Sequence, residues 1–137
     1  MIKEWFVRLQ LPRNYARNLE AEDAVGSRRA FRTRRFETVE ITMETGQLII
    51  SERVFDFGQP DYGLSTCRET ISGREAILQS YRGGGAISYQ GKSFITYRAE
   101  AVYEVSPGRI LRILANTADR RSQEEMLAAF RTVQFTN

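Results

Sequence analysis

Hydrophobic and polar positions alternate most cleanly in the last third of the chain. Ile95, Tyr97, Ala99, Ala101, Tyr103 and Val105 share one face of an extended segment, because successive side chains of a strand point to opposite sides. Thr96, Arg98, Glu100 and Glu104 share the other face, with Phe94 and Val102 as exceptions. The spacing predicts a half-buried strand with a mostly solvated back. Ser106-Pro107-Gly108-Arg109 predicts the reversal, since proline presets a turn φ and glycine accepts a positive φ. The return strand, Ile110 to Ala115, is apolar on both faces, which predicts a central place in a sheet.

The period then changes. Ser122 and Glu125 fit a capping box, in which each side chain satisfies a free backbone N–H of the first helical turn. Met126, Leu127 and Phe130 follow as an apolar stripe at helical spacing. Thr132 to Phe135 fits either a final edge strand or a packed tail.

Upstream the signals are shorter. Trp5 to Leu11 reads as a strand ended by Pro12. Asn14 to Ala24 has helical spacing through Tyr15 and Leu19, or is an extended loop. Phe36 to Met43 alternates as a strand, Thr45-Gly46 turns, and Leu48 to Phe57 gives another strand. Gly58 to Gly63 reads as a loop. Leu64 to Ile71 and Arg74 to Tyr81 read as strands joined at Ser72-Gly73. Gly83-Gly84-Gly85 reads as a flexible turn before a short strand, Ala86 to Tyr89. Strands do not alternate with helices, which argues against a parallel sheet. The expected fold is α+β: one domain over residues 1–137, an antiparallel β-sheet with flanking helices including a C-terminal amphipathic helix. An antiparallel β-barrel is the alternative.

The run Glu69-Thr70-Ile71-Ser72-Gly73-Arg74-Glu75-Ala76-Ile77 resembles a step between two strands in PsbP-like proteins. The Tyr103-Glu104-Val105 and Gly108-Arg109-Ile110-Leu111 hairpin resembles the same group, as does the closing helix Glu124 to Arg131 with Val133 and Phe135. The resemblance spans Ile49 to Phe135 and is one of element order. That group includes the PsbP subunit of photosystem II, a Ran-binding nuclear-import factor and bacterial envelope proteins of unknown role. It implies an antiparallel sheet with helices and an accessory or binding role. The metal-binding histidine of some photosynthetic members has no counterpart in this chain.

Composition narrows the chemistry. The chain has no histidine and one cysteine, so zinc, copper and non-haem iron sites lack their usual ligands. No cofactor motif is present, and none is expected to bind. Cys67 has no base to activate it and is expected to be a small buried hydrophobe. Asp56-Phe57-Gly58 spells a kinase triplet by chance, since the other kinase motifs are missing. No apolar run reaches the roughly 20 residues of a membrane helix. The N-terminus carries no leader signature. A mature form stripped of a leader would belong to a bacterial envelope or be secreted; otherwise the chain is expected to be cytoplasmic.

All but two of the twenty basic residues are arginine, an expected effect of a GC-rich genome. Five of them, Arg28, Arg29, Arg32, Arg34 and Arg35, fall within eight residues and interleave with Phe31 and Phe36. Arginine forks suit phosphate and carboxylate, so this cluster is a candidate for nucleic acid, anionic lipid or an acidic partner. Its bland alternative is a solvated edge strand. Asp61 and Tyr62, in the glycine-rich loop, are candidate binding residues. Asp56, Asp61, Tyr62, Glu69 and Tyr81 would have to converge for carboxylate catalysis. The chain is expected to be no enzyme but a binding or accessory domain. It would hold a protein partner through a sheet face or through the loops Gly58–Gly63 and Gly83–Gly85. The arginine cluster is the alternative, and an apolar-ligand carrier is a third reading.

Overall fold

Nine strands and one helix make up the computed structural model, which describes residues 7–17, 28–33, 37–48, 65–89 and 92–135. The strands are β1 (Val7–Arg8), β2 (Ala16–Arg17), β3 (Arg28–Arg32), β4 (Thr38–Thr45), β5 (Ser65–Ile71), β6 (Arg74–Tyr89), β7 (Lys92–Ser106), β8 (Arg109–Thr117) and β9 (Gln134–Phe135). The helix α1 (Arg120–Phe130) lies between β8 and β9. Seven strands form one antiparallel sheet in the order β2-β3-β4-β8-β7-β6-β5, and β1 pairs with β9 beside it.

This architecture corrects the expected fold class. The described chain is mostly β with a single helix, so it is not an α+β fold with flanking helices. The barrel fails as well, because among the described residues the sheet is open and ends at β2 and β5. The helical spacing around Tyr15 misleads because two apolar positions cannot separate a helix from an extended segment. Ala16 and Arg17 instead pair with Arg32 and Phe31 of β3. Residues 18–24 of that segment lie outside the described residues, as does nearly all of Leu48 to Phe57.

Pairing decides the long strands. Ser72 (φ 53°) and Gly73 (φ 74°) both take positive φ, the two-residue turn whose twist matches its flanking strands. Ser106-Pro107-Gly108-Arg109 reverses the chain as expected, with Gly108 at φ 80°. β8 lies at the middle of the seven strands, where its two-faced apolar pattern belongs. Gly83-Gly84-Gly85 is not a turn but part of β6. Gly83 pairs with Thr96 and Ile87 with Phe94, so β6 carries two more residues than β7 across that interval. Glycine is the residue that such a bulge tolerates best.

The core lies between the sheet and α1. Val39, Ile41, Ala99, Ala101, Tyr103, Leu111, Ile113 and Ala115 meet Met126, Ala129 and Phe130. Asp119, not Ser122, caps the helix: its side chain accepts from the Ser122 N–H at 2.8 Å. The Gln123 amide donates to the Arg98 carbonyl at 2.7 Å, tying the first turn to β7. The Tyr103 hydroxyl donates to the Phe130 carbonyl at 2.6 Å, tying the last turn to the same strand. Burial pushes that phenol up from its ordinary pKa.

The opposite face is not the wet back expected from alternation. Thr96, Glu100 and Val102 are all buried. Glu100, only 2% exposed, receives a charged hydrogen bond from Arg112 Nη1, and Arg112 Nε lies 3.5 Å from Glu44. The buried charge of Glu100 is thus neutralised by the neighbouring strand.

Candidate functional site

The arginine cluster does not form one patch. Arg28 and Arg32 pair with Thr42 and Thr38, on the face away from α1, whereas Arg29 pairs with Ile41 on the helix side. Alternation along a strand separates them by construction. Arg28 and Arg32 are exposed and Arg29 is half-buried. Arg34, Arg35, Asp61, Tyr62 and the Gly58–Gly63 loop lie outside the described residues. Glu69 and Tyr81 sit on opposite faces of the sheet, since Glu69 pairs with Ala76 in the core and Tyr81 pairs with Arg98. They do not converge. Among the described residues no cluster of histidine, cysteine, aspartate and glutamate could hold a metal.

The feature that sequence reasoning missed is the end strand β5. Ser65, Thr66, Cys67, Arg68 and Thr70 are exposed, so side chains on both faces of this strand reach solvent. On the helix side, geometry explains it. Strands lie about 4.8 Å apart, and a helix is about 10 Å wide, so one helix covers about two strands. α1 packs on β7 and β8, and of β5 only Ile71 is buried against the core. Cys67 is therefore exposed, not the buried hydrophobe expected from its composition.

The backbone of β5 has a definite polarity. Ile71 and Arg74 close the two-residue hairpin and form a hydrogen-bonded pair. Such pairs alternate along an antiparallel ladder, so Glu69, Cys67 and Ser65 also turn their N–H and C=O toward β6. Thr66, Arg68 and Thr70 then aim theirs away from the sheet. Among the described residues no strand lies beyond β5.

This edge is held firmly. Arg131, just past α1, forks onto Glu69 with Nε–Oε1 at 2.9 Å and Nη2–Oε2 at 2.8 Å. Cys67 Sγ donates to Glu69 Oε2 at 3.1 Å. The Arg131 hydrogen bonds, then the thiol, hold the Glu69 carboxyl down to about 2. The carboxylate in turn pushes the Cys67 thiol up from its usual range. Ser72 Oγ accepts from the Phe135 N–H at 3.3 Å, and Arg74 lies over the Phe135 ring at 5.9 Å. The hairpin is thereby fastened to the C-terminal segment.

Arg68, Glu69, Thr70, Glu75 and Ala76 line a shallow open recess of about 160 Å³. That is below the 300–1,000 Å³ or so of small-molecule sites, and suits a single side chain. Among the described residues no activated nucleophile and no paired free carboxylates stand at this edge. Its chemistry is that of hydrogen bonding and charge.

No protein-family model matches the chain, and no curated protein matches it in sequence. The likeness to PsbP-like proteins therefore remains a resemblance of element order. Among solved structures the chain is similar to LpqN, involved in cell envelope biogenesis of Mycobacterium tuberculosis, with a TM-score of 0.49 and 17% identity. That similarity covers 96% of this chain and 83% of the other. Among the described residues no helix is long and apolar enough to cross a membrane.

Proposed function

We propose that this protein is a non-catalytic binding domain that holds a protein partner at the β5 edge. One observation carries the reading: the end strand of the sheet exposes both of its faces over Ser65–Arg68. An edge of this kind is a template for a further strand, and natural proteins usually blunt it with proline, a bulge or a covering element. β5 contains no proline or glycine and pairs with β6 in continuous register. A partner segment adding here gains main-chain hydrogen bonds at Thr66, Arg68 and Thr70. The Arg131–Glu69 clamp holds the strand in place beforehand, which lowers the ordering cost of binding.

Cys67, the chain's one cysteine, makes the test direct. A photo-crosslinker attached at Cys67 should form a saturable adduct with a partner protein in lysate of the source cell. The adduct should vanish when Thr66 is replaced by proline, which removes an outward N–H and leaves the β6 ladder intact. In a Cys67→Ser background, the same label at Ala128→Cys, on the exposed side of α1, should not capture it. Equal capture from both positions, or an adduct indifferent to Thr66→Pro, refutes the reading.

A further inference from the structure

We infer that the segment received by β5 is an acidic extended segment of a partner protein, with a carboxylate placed directly opposite Arg68. The inference rests on the strand-addition reading above and adds the chemistry of the partner. Arg68 is exposed, lines the recess, and has no ion-pair or hydrogen-bond partner among the described residues. The two neighbouring charges are differently placed. Glu69 points to the helix side and is already neutralised by Arg131. Glu75 is exposed, pairs with Thr70, and lies one strand inward.

The register turns this into a positional rule. Backbone groups of Arg68 point outward, so an added strand places one residue squarely against it, with side chains on the same face about 5 Å apart. A carboxylate there meets a guanidinium with open donors. A carboxylate opposite Thr70 would instead approach Glu75, and a like charge disfavours it. The preference is therefore for an acid at one register position rather than for net negative charge. Thr66 and Thr70, flanking Arg68 on the same face, suit β-branched neighbours at the positions two residues away. A second copy of this chain is a poorer occupant, since pairing β5 with β5 about Arg68 sets guanidinium against guanidinium.

The test uses the full chain, ¹⁵N-labelled, titrated with two synthetic probe peptides. Each is a seven-residue peptide of alternating threonine and valine, with a central glutamate in one and a central lysine in the other. The glutamate peptide should shift the amides of Thr66, Arg68 and Thr70 and bind at least tenfold more tightly than the lysine peptide. Arg68→Glu should reverse that preference, and raised salt should weaken the glutamate peptide more than the lysine peptide. Thr66→Pro should weaken both. If Thr66→Pro abolishes binding while Arg68→Glu leaves the preference unchanged, strand addition stands and the acidic partner is overturned. If neither substitution matters, or if neither peptide binds, both are overturned. Concentration-dependent dimerisation abolished by Thr66→Pro, seen by sedimentation, would assign the edge to a second copy and also overturn the inference.

Discussion

Replacing Arg112 by methionine should be far more damaging than replacing its partner Glu100 by leucine. Glu100 is 2% exposed and takes its charged hydrogen bond from Arg112, while Arg112 is 22% exposed and also reaches Glu44. The two deletions therefore strand different groups. Without Arg112 a buried carboxylate loses its cation, a loss that typically costs about 3–5 kcal/mol. Without Glu100, Arg112 keeps Glu44 and solvent, and leucine fills the space between Leu114 and Gln79. That change should cost under about 1 kcal/mol. The double variant removes both charges, and its stability should lie within about 1 kcal/mol of the parent, or above it. The resulting coupling is about 3 kcal/mol, well beyond the additivity error of about 0.5 kcal/mol. Urea unfolding followed by circular dichroism measures all four corners of the cycle, with an unchanged denaturant slope as the condition for comparison. The single Arg112→Met change should lower Tm by roughly 10–20 °C for a domain of this size. A loss for Arg112→Met below about 1 kcal/mol, or a double variant equal to the sum of the singles, would show that the pair is not what holds Glu100 in the sheet.

Three further outcomes are expected. Asp119→Ala removes the acceptor for the Ser122 N–H and should cost about 0.5–2 kcal/mol in thermal unfolding, while Asp119→Asn should cost little. Glu69 is held below its ordinary pKa, so its pair with Arg131 stabilises the fold above the unfolded value near 4.5 and is lost as pH falls toward 2. Arg131 is about half exposed, so screening reduces that contribution to about 1 kcal/mol or less. The stability gap between the parent and Arg131→Gln should thus narrow as pH falls from 4.5 through about 2; a gap undiminished at pH 2 contradicts it. Cys67, exposed but with its thiol pushed up by Glu69, should label to completion in the folded protein, yet more slowly at pH 8 than in urea. Glu69→Gln should speed the folded-state reaction, and labelling that required prior unfolding would mean the thiol is buried.

The candidate edge was only half legible before the fold was known. Ser72-Gly73 between two alternating runs spells a hairpin, and β5 and β6 follow from it. Nothing in Ser65–Ile71 says that β5 ends the sheet, because strand order is decided by pairing between distant segments. The same gap explains Cys67. Its residue type argues for burial, but exposure depends on how far α1 reaches across the sheet. Glu100 errs in the other direction: alternation places it on the back face, and the neighbouring Arg112 on β8 makes its burial tolerable.

What the sequence determined by itself is local. The hairpin turns at Ser72-Gly73 and Pro107-Gly108, the two-faced apolar run of β8 and the C-terminal helix are written in spacing and turn chemistry, which act over a few residues. Tertiary structure decided the rest. It opened the sheet where a barrel was an alternative, and drew Gly83-Gly84-Gly85 into a bulged strand through its pairing with β7. It also split Arg28 and Arg32 from Arg29, and left Ser65 to Arg68 of β5 exposed. Those outcomes depend on which strands meet and on how much of a seven-strand sheet one helix can cover, and no short window of residues contains either quantity.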